Sequence, residues 1–202
     1  AMTASLPDIA MVFAAGLGTR MRPLTNTTPK PMIPVAGKPM LDHMLDRLAE
    51  AGVGEAIVNV HYLADQIETH LRSRDRPRIH VSDERAKLLD QGGGVRKVLP
   101  LIGDKPFLMA NTDALWVEGP RSNLARLAQA WDAERMDALL LVAASANSVG
   151  VDWSGDFHLD ADGRLRKRAE REVAPFVYTG VGVIKPQLFM QETREVFRLA
   201  PI

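Results

Sequence analysis

The chain has 202 residues, 25 Lys plus Arg against 25 Asp plus Glu, 46% hydrophobic residues and no cysteine. That balance excludes a disordered chain, a disulfide frame, a thiolate zinc site and a cysteine nucleophile. It also excludes a nucleic-acid binder working through bulk positive charge, and the length suits one generous domain.

The first ten residues lack the basic and apolar regions of a signal peptide. The longest purely apolar run, residues 138–144, is far short of the roughly 20 residues that span a membrane. The expectation is a cytoplasmic protein with no membrane or nucleic-acid partner. Oligomeric state is not legible.

Along the chain, apolar strands alternate with amphipathic helices. Residues 9–15 read as a buried strand followed by a Gly-rich turn. Residues 39–51 place Met40, Leu41, Met44, Leu45 and Leu48 at helical spacing, and Gly52 supplies the stop. Strands follow at 56–60, 78–82, 106–110 and 138–144. Helices are expected at 64–71, 93–99 and 122–131, with Pro100 just past the third of the chain's helices. Segments 156–160 and 164–168 flank Ala161-Asp162-Gly163 and read as a hairpin. Residues 176–184 form a last strand, and Pro186 opens a short helix. This order predicts an α/β fold: a Rossmann-like, mainly parallel sheet with helices on both faces and a β-hairpin insertion. Residues 1–202 read as a single domain. The apolar ending 198–202 carries no stop signal and predicts a domain that lacks its C-terminal segment.

The chemistry concentrates just after the first strand, in Ala14-Ala15-Gly16-Leu17-Gly18-Thr19-Arg20-Met21-Arg22-Pro23. Small residues let a backbone approach a ligand, and successive N–H groups cradle phosphate oxygens. Arg20 and Arg22 add charge-assisted donors. Next comes Thr28-Pro29-Lys30-Pro31-Met32, where flanking prolines restrict the backbone of Lys30. Between Ile9 and Leu41 there is no acidic residue, while Arg20, Arg22, Lys30 and Lys38 are all cationic. The neutral total therefore conceals a local anion site. A dinucleotide-binding loop is disfavoured, because Met21 stands at the third glycine position and no acidic residue follows at ribose spacing. That argues against a nicotinamide oxidoreductase. A P-loop lacks its Gly-Lys-Ser/Thr.

These motifs, with Pro34-Val35-Ala36-Gly37-Lys38-Pro39-Met40, resemble the sugar-1-phosphate nucleotidyltransferases. The resemblance runs from Met11 to Val183. Within that family the likeness is to N-acetylmuramate-1-phosphate uridylyltransferases of peptidoglycan recycling, through Asp90-Gln91-Gly92-Gly93-Gly94, Asn111-Thr112-Asp113 and residues 176–183. The resemblance implies transfer of a nucleotidyl group from a nucleoside triphosphate to a sugar 1-phosphate, releasing pyrophosphate. Mannose, glucose or heptose phosphates, with GTP or dTTP, remain alternatives. So does a catalytically silent nucleotide-sugar-binding domain.

It also implies roles. Arg20 and Lys30 would be catalytic, on the leaving pyrophosphate and on the α-phosphate. Ala14, Ala15, Gly16, Gly18, Thr19, Gln91, Gly92 and Gly93 would bind nucleotide. Asn59 would line the base pocket or simply end its strand. Asn111 and Gly180 would face the sugar, although strand packing also accounts for the segment around Gly180. Asp113 would ligate Mg²⁺; the alternative reading is a cap for the following helix. The sequence departs from the family at Gln91, where threonine is usual, and at Asp90. The family's second metal carboxylate belongs to a later segment that this chain does not contain.

Weaker signals remain. Arg72, Arg74, Arg76 and Arg78 read as a solvated edge. Arg164, Arg166, Lys167, Arg168 and Arg171 read as an exposed strand face or, more sharply, as a receptor for an acidic sugar substituent. The five histidines show no metal-ligand spacing.

Overall fold

A computed structural model describes residues 5–148 and 151–199. Residues 200–202 of the apolar ending lie outside the described residues. The chain opens with β1 (Ile9–Phe13), a long loop, and a small hairpin of β2 (Pro34–Val35) and β3 (Lys38–Pro39). Then come α1 (Met40–Glu50), β4 (Glu55–Val60), α2 (Ala64–Leu71), β5 (Arg78–Asp83), α3 (Asp90–Ile102) and β6 (Phe107–Asn111). The last part contains α4 (Asn123–Ala130), β7 (Ala138–Ala144), β8 (Phe157–Leu159), β9 (Leu165–Lys167) and β10 (Phe176–Ile184).

The central sheet has the order β5-β4-β1-β6-β10, and its first four strands are parallel. β10 runs antiparallel to β6 and also pairs with β7 and with the β8–β9 hairpin. β4 and β5 lie to one side of β1, and β6 to the other. The strand order therefore reverses between β1 and β6. Open α/β sheets bind ligands at such a point, beyond the carboxyl ends of the strands.

The pleat of β1 divides the core. Ala10 and Val12 point to one face, where they pack with Leu41, Met44, Leu45 and Leu48 of α1, Ile67 of α2 and Leu124 of α4. Met11 points to the other face, with Val95, Val98 and Ile102 of α3, Phe107 and Phe189. Helices thus cover both faces, as the alternation predicts. Each fully buried Leu of α1 contributes about 1.5–3 kcal/mol, so packing rather than propensity fixes this helix. It ends where Gly52 adopts φ +88°, and Val53 N–H returns to the Leu48 carbonyl.

Most elements match the sequence expectation to within a residue at each end, and β1 and α3 depart further. β1 ends at Phe13, because the Ala14 N–H bonds the Asn59 side chain rather than a neighbouring strand. α3 begins at Asp90 and so takes in the glycine run. The Gly92 and Gly93 N–H groups, which have no helical partner in a first turn, donate to the Phe197 carbonyl at 3.0 and 3.3 Å. Pro100 lies within the last turns of α3, which continues to Ile102. The hairpin is shorter than expected, with three-residue strands. Among the described residues no helix is long and apolar enough to cross a membrane.

Candidate active site

A cavity of about 300 Å³ opens at the carboxyl ends of β1, β4 and β6. Ala14, Ala15, Gly16, Arg20, Lys30, Asn59, Gln91, Asn111 and Asp113 line it, together with Asp90, Leu88, Phe13, Pro31 and Thr112. The two motifs rich in small and basic residues therefore meet the end of β6 in one place. Lys30 forms an ion pair with Asp113, and both side chains remain partly open to solvent. An incoming phosphate would compete with Asp113 for the Lys30 ammonium.

The loop that carries Arg20 and Lys30 is built by local chemistry. Gly18 has φ +64°, a left-handed conformation that favours glycine. A Cβ at Gly18 would lie 2.8 Å from Thr25 Cγ2 and 3.2 Å from Lys30 Cβ. Thr25 is fully buried, and its hydroxyl donates to the Gly18 carbonyl at 2.8 Å. The Tyr62 hydroxyl donates to the Thr25 carbonyl at 2.7 Å, and Gln66 Nε2 to the Thr27 carbonyl at 2.8 Å. The segment from β4 into α2 thus pins the loop from outside. Gly16 differs: a Cβ there would meet nothing within 4 Å.

Several expected ligand residues sit elsewhere or are occupied. The Ala14 N–H donates to Asn59 Oδ1 at 2.8 Å, so Ala14 borders the cavity without a free amide to offer a nucleotide. Asn59 is 3% exposed, and its Nδ2 donates to Glu84 Oε1 at 2.9 Å. Both of its polar ends are therefore used inside the protein. Gly18 and Thr19 form the turn behind the cavity rather than its lining. Gly92 and Gly93 also lie off the cavity. Their Cα atoms face the Phe197 ring and the Glu195 carbonyl, which leave no space for a Cβ. Gly180, at φ +90° beside an irregularity in β10, does not line the cavity either. A Cβ there would lie 2.6 Å from Asn111 Nδ2. Gly180 therefore acts on Asn111, whose Oδ1 accepts from Gln91 Nε2 at 2.7 Å.

The basic segments resolve differently. Lys38 bonds Asp46 rather than facing the cavity, and Arg22 does not line it. Burial alone raises the Asp46 carboxyl, but hydrogen bonds from Lys38 and Arg74 outweigh it and hold it below its ordinary 3.8. Arg74 also bonds Asp42 and is largely buried, so this member of the expected solvated edge instead joins α1 to the end of α2. Arg168 donates to the carbonyls of Gly155, Ala169, Glu170 and Glu172, and Arg166 pairs with Glu172. These hairpin cations brace their own turn.

Asp90 adopts φ +58°, which Asp tolerates better than most residues, and lines the cavity. The cavity thus holds two carboxyl groups, Asp90 and Asp113. Mg²⁺ is bound through one or two carboxylates plus substrate phosphates and water, so this donor set fits it. Among the described residues, no three His, Cys, Asp or Glu gather into a metal site on their own.

A family profile described as Nucleotidyl transferase matches residues 9–148. The chain belongs to this nucleotidyl transferase family. It is similar to the N-acetylmuramate alpha-1-phosphate uridylyltransferase of Caulobacter vibrioides, with 48% identity over 97% of this chain and 83% of that protein. The enzyme of the same name from Neisseria meningitidis serogroup B is 36% identical over 96% of this chain and 82% of its own length. An inositol-1-phosphate CTP transferase structure from T. maritima covers 96% of this chain and 78% of its own, at TM-score 0.74 and 18% identity. A UDP-glucose pyrophosphorylase complexed with UDP-glucose gives TM-score 0.72 at 17% identity, covering 94% of this chain and 83% of its own. These two likenesses concern the fold. This nucleotidyl transferase is thus an enzyme of the class that the sequence motifs resemble.

Proposed function

We propose that this nucleotidyl transferase moves a uridylyl group from UTP to N-acetylmuramate 1-phosphate and releases pyrophosphate. The observation that carries the reading is the meeting of Arg20, Lys30 and Asp113 in one cavity at the strand-order reversal. The similarity to uridylyltransferases along nearly the whole chain supports the choice of base and sugar.

An oxygen of the sugar 1-phosphate attacks the α-phosphorus of UTP. A new P–O bond forms in line with the one that breaks, and the electron pair leaves with pyrophosphate. Both reactants are anions, so the protein must position them and offset their charge. Arg20 holds the β- and γ-phosphates. Lys30, released from Asp113, lies between the α-phosphate and the attacking phosphate. Gly16 leaves open space at the cavity edge for phosphate oxygens. Gln91, held by Asn111, faces the base, and Asn111 itself borders the sugar. Asp113, with Asp90 in the same lining, would hold Mg²⁺, which would draw charge from the phosphate oxygens. Such a reaction would belong to recycling of cell-wall sugar in the cytoplasm.

The test is pyrophosphate release over a grid of five nucleoside triphosphates and a panel of sugar 1-phosphates, with Mg²⁺. Release is expected to peak with UTP and N-acetylmuramate 1-phosphate. Peak release with GTP or dTTP and another sugar would overturn the choice of substrates. No release anywhere would favour a nucleotide-sugar-binding domain.

A further inference from the structure

Glu84 is 2% exposed, has no cationic hydrogen-bond partner for its carboxylate among the described residues, and does not line the nucleotide cavity. A buried carboxyl in such a place requires a reason. Its Oε1 accepts from Asn59 Nδ2 at 2.9 Å, and its Oε2 accepts from the Leu89 N–H at 3.2 Å. Asn59 passes the connection on, since its Oδ1 accepts the Ala14 N–H at 2.8 Å. One side chain therefore bridges two walls of the nucleotide cavity. The first is the end of β1, where Ala14 and Ala15 lead to Gly16. The second is the segment Leu89-Asp90-Gln91.

The surroundings fix Glu84 at every end. Its N–H donates to the Val60 carbonyl at 2.8 Å, and its carbonyl accepts from His61 Nδ1 at 2.6 Å. Gly94 of α3 packs directly on the bridge. A Cβ there would approach Glu84 Oε1 to 3.0 Å and Asn59 Nδ2 to 3.2 Å. The third glycine of the run is thus the space in which the bridge sits.

We propose that Glu84 is a positioning residue for the nucleotide: through Asn59 and Leu89 it sets the separation of the Ala14 and Gln91 walls. The proposal deepens the nucleotidyl transfer reading and rests on it. It predicts that Glu84 governs UTP affinity while leaving the sugar phosphate side alone.

The hydrogen-bond directions supply a sharp test. In Glu84→Gln one donor must face another: the new N–H₂ meets Asn59 Nδ2 or the Leu89 N–H, or the Asn59 amide turns over and sets its own N–H₂ against the Ala14 N–H. The double substitution Asn59→Asp with Glu84→Gln restores every bond. Ala14 N–H then donates to one Asp oxygen, the Gln amide donates to the other, and Leu89 N–H donates to the Gln carbonyl. Chain lengths are unchanged at both positions. UTP dissociation constants are measured by equilibrium dialysis with Mg²⁺, beside melting temperatures and the sugar 1-phosphate KM. Glu84→Gln is expected to weaken UTP about tenfold, as a buried unpaired group would. The sugar 1-phosphate KM is expected to change less than about twofold, and the double variant to regain most of the affinity. UTP affinity at the wild-type level in Glu84→Gln would overturn the proposal. So would a folded double variant that binds UTP no better than Glu84→Gln. If Glu84→Gln fails to fold, the double variant is compared with wild type, and UTP binding more than about tenfold weaker overturns the proposal. Wild-type protein that binds UTP yet releases no pyrophosphate would instead overturn the transfer reading.

Discussion

Two glycine-bearing segments follow parallel strands of the same sheet, and they use glycine for opposite ends. After β1, Gly16 faces open space, and the loop beyond it delivers Arg20 and Lys30 to the cavity. After β5, Gly92, Gly93 and Gly94 face the Phe197 ring, the Glu195 carbonyl and the Glu84–Asn59 pair. The first segment leaves room for a ligand. The second leaves room for the protein itself. A glycine run after a strand is therefore no sign of phosphate contact unless the space beside it is empty.

The largest expected break falls on the ligand-facing segment. Lys30→Ala removes the only lysine among the described residues that line the cavity, and is expected to lower turnover by about 10²-fold or more, as lost oxyanion donors do. Pyrophosphate release measures it, and near-normal turnover would remove Lys30 from the chemistry. Gly18→Ala sharpens the contrast, because this glycine belongs to the first segment but packs like the second. Its φ of +64° and the nearby Thr25 Cγ2 imply a loss of about 1–3 kcal/mol in urea unfolding. Unchanged stability would contradict that packing role.

The smallest effect concerns Asp46, behind the loop. Its folded pKa is depressed by Lys38 and Arg74 despite burial. Its contribution is thus present above the ordinary carboxylate value of 3.8 and lost as pH falls through and below it. Asp46→Asn is therefore expected to lower the melting temperature slightly at pH 7 and not at pH 2. An equal deficit at both pH values would mean that the ion pairs do not stabilise the helix.

Much of this was legible in the sequence. Helical spacing in α1 matched its element closely because one face of that helix is buried, and the apolar run of β7 matched its strand although that strand is only half-buried. The cationic motifs were legible because Arg20 and Lys30 lie in a segment without acids. Charge counting could not separate Arg20 and Lys30 from Lys38, which turns to Asp46 only through the geometry of α1. Nor could it separate Gly16 from Gly92 and Gly93, because the space beside a glycine is set by chain 100 residues away, at Phe197. Glu84 was invisible for the same reason. A glutamate in a polar stretch, Asp83-Glu84-Arg85, reads as surface until the partner strand buries it. A buried acid beside a pocket is the signal that structure alone provides.

The division between the two segments is tested most directly by UTP affinity in Gly16→Ala and Gly93→Ala, with melting temperatures measured on the same samples. The account predicts that Gly16→Ala weakens UTP about tenfold at an unchanged melting temperature, since its Cβ enters only the ligand's space. Gly93→Ala is predicted to melt several degrees lower while folded protein still binds UTP, since its Cβ strikes the Glu195 carbonyl. A Gly93→Ala protein of wild-type stability that has lost UTP, beside a Gly16→Ala protein that binds it normally, would contradict the account.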